Sequence, residues 1–245
     1  PHGLNQVVIA GGALAGLSFS LDLQSEKDYW LGTYEPELQA AVGELLQPAW
    51  TVYDVGANVG YITLLLARKL GPQGQVIAFE ALPENVSRLQ ANLALNPGLA
   101  RVEVYHRAVV DATRPVSFLL GPSDDTGKAA GSAGRQALEY SQVIDVPGIS
   151  LDDFVYQQGG PPPQAIKLDI EGGEGLALPG MRRLLVEARP LLLVELHGEQ
   201  AARSAWEILS QAGYRICRMQ TGYPRVPSLE ALDWKAYLVA FPPRL

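Results

Sequence analysis

The chain has 245 residues, of which 47% are hydrophobic, and this is enough for one α/β domain with extensions. Its net charge of −7 argues against a nucleic-acid partner and against docking on an anionic membrane surface, because both need a basic face. The single cysteine, Cys217, excludes an intrachain disulfide and fits a reducing compartment, so a cytoplasmic location is expected.

The chain is predicted to have two parts, an N-terminal hairpin and helix over residues 1–48 and a main domain over 49–245. Residues 5–24 are expected to form a β-hairpin, because apolar and polar residues alternate after a pair of glycines. The apolar stretch inside it is too short to span a bilayer and lacks a basic start, so no membrane insertion is expected. Pro36 fits the first turn of a helix that ends near Leu46. This N-terminal part is interpreted as a cover over the site.

Beyond residue 48, short apolar strands alternate with helices, which is typical of a doubly wound, mainly parallel sheet with helices on both faces. The strands predicted for this sheet are 52–55, 75–80, 102–107, 165–170, 191–196, 214–219 and 236–241. Two further strands, 115–120 and 142–147, lie outside this alternation. Between them, residues 121–135 are rich in Gly, Ser and Asp and are expected to form a long mobile loop.

A strand, a glycine turn and a helix follow one another around Asp54-Val-Gly-Ala-Asn-Val-Gly60. A strand that turns directly into a helix at paired glycines is how doubly wound folds hold a nucleotide-like ligand. Gly56 is expected to permit the turn, and Gly60 to let the helix pack closely on the sheet. The alternative is that this segment is only a tight turn.

The side chains of this turn favour a cofactor without a pyrophosphate. A dinucleotide-binding turn needs glycine at the second and third motif positions, where this chain has Asn58 and Tyr61. An adenosine cofactor without a phosphate suits such a turn, and S-adenosylmethionine is the common one. Glu80, at the end of the next strand, has the spacing of the acid that binds ribose hydroxyls. A solvent-exposed strand end is the alternative interpretation of Glu80.

Several motifs in this order resemble the FkbM-like family of S-adenosylmethionine-dependent methyltransferases. The resemblance covers about residues 30–200, with small departures at Ala81 and Gly173, where the family usually has proline and alanine. The matching motifs include Gly32-Thr-Tyr-Glu35, Tyr53-Asp-Val-Gly-Ala-Asn-Val-Gly60, Val76-Ile-Ala-Phe-Glu80, Ile149-Ser-Leu-Asp-Asp153, Ile166-Lys-Leu-Asp-Ile-Glu-Gly-Gly-Glu174 and Val194-Glu-Leu-His197. The resemblance implies a seven-stranded, Rossmann-like methyltransferase sheet with one antiparallel strand near the C-terminus.

The resemblance also implies where the cofactor would bind. The turn should face the methionine part, Glu80 should take the ribose hydroxyls, and Leu82 and the loop after Arg107 should line the adenine. Glu35 is expected either to reach the amino group of the cofactor or to be a first-turn helix acid. The full set of predicted cofactor-binding residues is Glu35, Asp54, Gly56, Ala57, Asn58, Gly60, Tyr61, Glu80, Ala81, Leu82, Asn85, Ala108 and Asp169.

Candidate catalytic residues lie at the ends of the fourth and fifth parallel strands, where open α/β sheets bind ligands. They are Lys167, Asp169, Glu171 and His197. One hypothesis makes His197 or Asp169 the general base for a substrate hydroxyl. The other has Asp169 and Glu171, with His197 as a further ligand, hold a divalent cation such as Mg²⁺ that acidifies the hydroxyl. The same cluster could instead be an ion-pair network that fixes the loop.

The predicted activity is therefore O-methylation of a small-molecule hydroxyl on a sugar, glycolipid or polyketide-type acceptor, with S-adenosylhomocysteine as the product of the cofactor. The sequence does not determine the oligomeric state, and a homodimer is one option. Two other classes stay open. One is a non-catalytic cofactor-binding module of the same fold, and the other is an NAD-dependent oxidoreductase, which NAD and not S-adenosylhomocysteine would stabilise.

Overall fold

The computed structural model describes residues 3–120, 127–129, 132 and 142–243. The strands are β1 (Asn5–Val8), β2 (Ser18–Leu21), β3 (Thr51–Val55), β4 (Gln75–Glu80), β5 (Arg101–His106), β6 (Ala108–Val109), β7 (Pro115–Leu120), β8 (Gly127–Ala129), β9 (Gln142–Ile149), β10 (Ala165–Leu168), β11 (Leu191–His197), β12 (Arg215–Arg218) and β13 (Lys235–Phe241). The α-helices are α1 (Lys27–Leu31), α2 (Pro36–Leu45), α3 (Tyr61–Leu70), α4 (Pro83–Ala94), α5 (Leu151–Tyr156), α6 (Glu174–Ala177), α7 (Arg182–Glu187) and α8 (Glu199–Gln211).

The central sheet has seven strands in the order β12-β13-β11-β10-β3-β4-β5. Five of them, β11, β10, β3, β4 and β5, run parallel, whereas β13 pairs antiparallel with both β11 and β12. The chain enters at β3, builds outward through β4 and β5, and then returns to β10 on the other side of β3. The strand order therefore reverses between β3 and β10, and this reversal is where open α/β sheets leave a crevice for ligands.

Successive residues of the central strands pack into two hydrophobic cores on opposite faces of the sheet, as the two-residue strand period requires. Tyr53 and Val55 of β3 belong to the core beneath α5, α6, α7 and α8. Val52, between them, belongs to the core beneath α2 and α3, which also contains Phe19 and Tyr29 from the N-terminal part. Because both faces are covered, the strands are almost continuously apolar, and a charged residue within them stands out.

The expected doubly wound sheet is confirmed, including its antiparallel strand near the C-terminus. The N-terminal hairpin forms as expected from β1 and β2, and helix α2 begins at Pro36. Ser150 caps α5, since its side chain accepts a hydrogen bond from the backbone N–H of Asp153 at 3.0 Å. The division of the chain at residue 48 stays a prediction.

Two features of the fold were not predicted from the sequence. One is α1, which has only five residues and therefore shows no helical period. The other is a second, four-stranded sheet, β6-β9-β7-β8, which joins the two strands predicted outside the alternation. The loop expected at 121–135 lies mostly outside the described residues; within it, Gly127–Ala129 forms β8 against β7. Among the residues described, no helix has the length and apolar character needed to cross a bilayer.

Candidate functional site

A cavity opens where β3, β4 and β10 end, at the reversal of strand order. We call it the strand-end cavity. The space between its walls, counted together with its open mouth, is about 1020 Å³. Its lining includes Gly56, Ala57, Asn58, Tyr61, Glu80, Ala81, Leu82, Asn85, Ala108, Lys167, Asp169 and Glu171. Most of the predicted cofactor-binding residues therefore line one cavity.

The turn after β3 is held against its neighbours by backbone hydrogen bonds. The N–H groups of Gly56 and Ala57 both donate to the carbonyl of Phe79 at 3.0 Å, and the N–H of Asp169 donates to the carbonyl of Val55 at 3.2 Å. Gly56 has φ +79°, and a Cβ there would lie 1.9 Å from the carbonyl oxygen of Asp169. Only glycine allows this approach of β3 and β10.

Gly60 is also required by close packing, but against a different partner from the one predicted. Its φ is +95°, and a Cβ there would lie 2.5 Å from the side chain of Leu89, which belongs to α4 and not to the sheet. The expectation that Gly60 packs the helix on the sheet is thus corrected, because the neighbouring helix fills the space beside the turn. Gly60 does not itself line the cavity.

Glu80 is held rigidly at the cavity wall. Its Oε2 accepts a hydrogen bond from the Asn58 N–H at 2.8 Å, and its Oε1 accepts one from the Leu82 N–H at 2.9 Å. Burial raises the pKa of Glu80, and the hydrogen bonds from Leu82 and Asn58 oppose that rise. Oε1 also accepts a longer hydrogen bond from the Asn85 Nδ2 at 3.4 Å, whereas Oε2 has a second lone pair, so Glu80 retains capacity to accept a hydrogen bond from a ligand hydroxyl.

These residues fit S-adenosylmethionine. The Oδ1 atom of Asn58 is buried without a hydrogen-bond partner in the described part of the chain, so a ligand donor would satisfy it. Glu80 supplies acceptors for the ribose hydroxyls, while Leu82, Ala108 and Phe118 supply apolar walls of the kind an adenine needs. Asn58 and Tyr61 both line the cavity, at positions where a pyrophosphate-binding turn would have glycine.

Asp54 lies behind the cavity and not in its wall. It is fully buried, and its Oδ2 accepts a hydrogen bond from the Thr63 hydroxyl at 2.7 Å. Its Oδ1 lies 3.3 Å from the Lys167 Nζ, which donates to the carbonyl of Gly56 at 2.7 Å. Burial alone would lower the pKa of Lys167, but Asp54 and Asp169 outweigh it and raise that pKa. Asp54 thus fixes Lys167, and Lys167 fixes the turn.

A second cavity lies on the other side of Asp169, and we call it the acidic cavity. Tyr34, Asp169 and Glu171 line both cavities, so they lie at the boundary between them. The acidic cavity has two cationic side chains in its described lining, Arg218 and Lys235. It has seven carboxylates there, from Asp28, Glu35, Glu37, Asp169, Glu171, Glu195 and Asp233.

Asp169 borders both cavities and lies within ion-pair distance of two cationic groups. Its Oδ2 lies 4.0 Å from the Lys167 Nζ, while its Oδ1 lies 4.0 Å from the His197 Nδ1 and is buried without a hydrogen-bond partner in the described part of the chain. Burial raises the pKa of Asp169, and Lys167 opposes that rise. A carboxylate with a raised pKa that borders two cavities has the properties of a general base.

His197 is enclosed by carboxylates. Its Nε2 lies 2.9 Å from Glu195 Oε1, although not aligned as a hydrogen bond, and its Nδ1 lies 3.3 Å from Glu174 Oε1. Burial alone would lower the pKa of His197, but Glu174 and Glu195 outweigh it and raise that pKa from 6.5 to about 10. His197 is therefore an imidazolium at neutral pH, and it lines neither cavity.

Glu174, which also contacts His197, has a structural role. Its Oε1 accepts hydrogen bonds from the N–H groups of Ile170 at 3.1 Å and Gly172 at 3.2 Å, and so fixes the loop after β10. This is the loop-fixing alternative of the sequence analysis.

Asp169, Glu195 and His197 offer ligand atoms that all lie within 4.8 Å of one another, a grouping that could hold a metal ion. The cation ligands proposed from the sequence were Asp169 and Glu171, with His197 as a further ligand; Glu171 Oε2 lies 3.9 Å from His197 Nε2, beside this group. Glu195 is already paired with Lys235 and His197, which together hold its pKa below the ordinary value against the effect of burial. A cation would have to displace these partners and the His197 proton.

Sequence reasoning missed Glu195 and Lys235. The signal for Glu195 was present, because an acid inside the apolar strand Leu191-Leu-Leu-Val-Glu-Leu-His197 has to be paired. Its partner Lys235 comes from β13, which pairs with β11 so that Lys235 lies opposite His197. This pairing could not be inferred from the sequence around Glu195. Glu35 lines the acidic cavity, so the structure does not place it in the strand-end cavity, and its role at the cofactor stays a prediction.

The backbone is strained around both cavities. Six described residues other than glycine have positive φ, and three of them line a cavity: Glu35 at +46°, Asn58 at +48° and Glu171 at +52°. Such residues cost free energy relative to an extended or helical backbone, so they tend to persist where surrounding contacts determine the geometry.

Comparison with known proteins agrees with this geometry. A hexuronic acid methyltransferase of Haloferax volcanii, AglP, is 27% identical over 202 residues, covering 81% of this chain and 79% of that protein. The methyltransferase sdnD of Sordaria araneosa is 27% identical over 193 residues, covering 68% of this chain and 74% of that protein.

A solved structure has a similar fold. It is the methyltransferase FkbM of Methylobacillus flagellatus, which matches with a TM-score of 0.51 and 22% identity. The match covers 85% of this chain and 46% of that one, so the chain spans about half the length of that structure. The methyltransferase FkbM domain model matches residues 54–216, from the start of the glycine turn to β12. The chain belongs to the FkbM family of S-adenosylmethionine-dependent methyltransferases.

Proposed function

We propose that this protein transfers the methyl group of S-adenosylmethionine to a hydroxyl of a sugar or glycolipid, within a wider class that includes polyketide-type hydroxyls. The observation that carries the proposal is the position of Asp169, which borders both cavities. A cofactor in the strand-end cavity and an acceptor in the acidic cavity would meet beside its carboxylate. The sugar class is supported by the Haloferax volcanii relative, which is a hexuronic acid methyltransferase.

Methyl transfer to a hydroxyl asks two things of the protein. It must align the hydroxyl oxygen opposite the departing sulfur, and it must accept the hydroxyl proton. The bound cofactor supplies an electrophilic methyl group. We assign proton acceptance to the carboxylate of Asp169, since this residue borders both cavities and its Oδ1 accepts no hydrogen bond from the described residues. Lys167 acts as a positioning residue, because its Nζ lies near Asp169 Oδ2 and donates to the turn at Gly56.

Of the two bases proposed from the sequence, Asp169 is favoured over His197. The pKa of His197 is raised to about 10 by Glu174 and Glu195 against the effect of burial, and an imidazolium has no lone pair to accept a proton. His197 also lines neither cavity, so it has no direct path to a substrate. We assign it a structural role in neutralising the carboxylates around it.

The charge of the acidic cavity limits the classes of acceptor that can bind there. Seven carboxylates against two cationic groups in the described lining disfavour an acceptor that is itself anionic. A neutral sugar hydroxyl, or one on a sugar with an amino group, is compatible with that lining. We therefore propose an uncharged or cationic acceptor, although the relative AglP is named for a hexuronic acid.

The direct test is a labelled methyl-transfer screen against matched neutral hexoses, amino sugars and hexuronic acids, with and without a chelator. We expect methylation of a neutral or amino sugar, unaffected by the chelator. If the chelator abolishes activity and Mg²⁺ restores it, a cation bound by Asp169, Glu195 and His197 activates the hydroxyl, and Asp169 is not the general base. Binding of S-adenosylmethionine without turnover of any acceptor would support the non-catalytic module.

Binding of S-adenosylhomocysteine or of NAD distinguishes a methyltransferase from an NAD-dependent oxidoreductase. In a thermal-shift comparison, S-adenosylhomocysteine should raise the melting temperature and NAD should not. Stabilisation by NAD alone would overturn the proposal, because an oxidoreductase would then be the better account of the strand-end cavity.

A further inference from the structure

Three tyrosines from two distant parts of the chain form an aromatic corner, which we define as Tyr29, Tyr34 and Tyr61. The rings of Tyr29 and Tyr61 stack with centroids 4.8 Å apart and planes 17° apart. The ring of Tyr34 stands at 77° to Tyr29 and 80° to Tyr61, with centroids 4.7 Å and 5.7 Å away. The stacked pair and Tyr34 thus meet nearly at right angles.

The aromatic corner lies at the end of the strand-end cavity that opens toward the acidic cavity. All three tyrosines line the strand-end cavity, and Tyr34 also lines the acidic cavity together with Asp169 and Glu171. A methyl group transferred from a cofactor in one cavity to an acceptor in the other would pass beside these residues. The sulfur that carries it would therefore lie close to the ring of Tyr34.

That sulfur is positively charged before methyl transfer and neutral afterwards. A cation near an aromatic face is attracted by the ring quadrupole, and right-angled aromatic walls are a common way to bind a cation without a formal counter-charge. Glu80 and the glycine turn cannot sense this difference, because they face the ribose and the amino-acid part, which the cofactor and its product share.

We propose that the aromatic corner recognises the sulfonium charge of S-adenosylmethionine, so that the N-terminal part of the chain selects cofactor over product. The inference rests on the proposed placement of the cofactor in the strand-end cavity. It gives residues 27–34 a specific role beyond covering the site. Once the methyl group leaves, the attraction to the aromatic corner is lost and S-adenosylhomocysteine is released more readily.

The test is to measure the dissociation constants of S-adenosylmethionine and S-adenosylhomocysteine by calorimetry for the full chain and its variants. Y34L should weaken binding of S-adenosylmethionine about tenfold and that of S-adenosylhomocysteine by less than about twofold. Y34F keeps the ring and should preserve the ratio of the two constants. Substituting phenylalanines with one, two and three ring fluorines at position 34 should reduce that ratio stepwise, because fluorine withdraws the negative charge of the ring face.

The matched control is F118L, because Phe118 is an aromatic residue that lines the same cavity beside Ala108, at the end expected for adenine. F118L should weaken both ligands equally. If Y34L also weakens both ligands equally, or fluorination leaves the ratio unchanged, Tyr34 only packs and the inference is overturned. If the unaltered protein binds neither ligand, the proposed function itself fails, so the two failures are distinguishable.

Discussion

The strand-end cavity and the acidic cavity meet at Asp169 but are formed by different parts of the chain. The strand-end cavity is formed mainly by consecutive residues at the ends of β3, β4 and β10, held by backbone hydrogen bonds. The acidic cavity is assembled from segments far apart in sequence: the stretch around α1 and α2, and the strands β11, β12 and β13. The first cavity is fixed by local geometry, whereas the second depends on tertiary packing.

The two cavities also differ in charge. The described lining of the strand-end cavity has three carboxylates and two cations, Arg107 and Lys167, whereas the acidic cavity has seven carboxylates and two cations. If the two ligands bind as proposed, cofactor binding and acceptor choice are expected to be separable in this molecule. Variants on one side should alter one ligand and spare the other.

The largest effect is expected at the shared residue. D169N keeps the shape of the side chain and removes its ability to accept a proton, so the rate of methyl transfer should fall about 10²- to 10⁴-fold. Binding of S-adenosylmethionine should change only a few-fold, because Glu80 and the glycine turn remain. D145N is the control, since Asp145 is exposed and lines neither cavity. If D169N transfers the methyl group at an undiminished rate, Asp169 is not the general base.

The next effect is confined to the strand-end cavity. E80Q retains the shape of the side chain but replaces one acceptor oxygen by a donor and removes the charge, so both S-adenosylmethionine and S-adenosylhomocysteine should bind about 10- to 100-fold more weakly. Calorimetry measures both constants. A loss for one ligand only would mean that Glu80 does not contact the ribose that both share.

A smaller effect is expected on stability through His197. Its pKa is raised from 6.5 to about 10 in the folded protein by Glu174 and Glu195 against the effect of burial, so the folded state holds a proton that the unfolded state releases between these pH values. The free energy of unfolding should therefore fall as pH rises through that window, by up to about 1.4 kcal/mol per pH unit. Urea unfolding with a chelator present should show a shallower decline for H197Q, and equal slopes would contradict the ion-pair network.

The smallest effect is expected in acceptor choice. Glu37 is exposed and lines only the acidic cavity, so E37K should raise kcat/KM for a hexuronic acid relative to the matching hexose about fivefold. E84K makes the same charge change on α4, outside both described cavities, and should leave the ratio unchanged. A similar ratio change in E84K would show that only the overall charge matters.

The contrast between the cavities also explains what could be predicted from the sequence. Gly56, Asn58 and Glu80 could be predicted because strand, turn and helix are consecutive, and their spacing alone determines the geometry. Lys235 could not, because only the antiparallel pairing of β13 with β11 brings it to Glu195. Tyr29 could not either, since the five-residue helix that holds it forms against Tyr61 and not from its own periodicity.

The left-handed backbone at Glu35, Asn58 and Glu171 has a consequence for anyone who engineers this protein. Glycine would relieve a strain of about 1 kcal/mol or more at each position, so sequence changes selected only for heat resistance should accumulate there. Each of these positions also lines at least one of the two cavities. A thermostable descendant of this chain is therefore expected to lose turnover before it loses its fold.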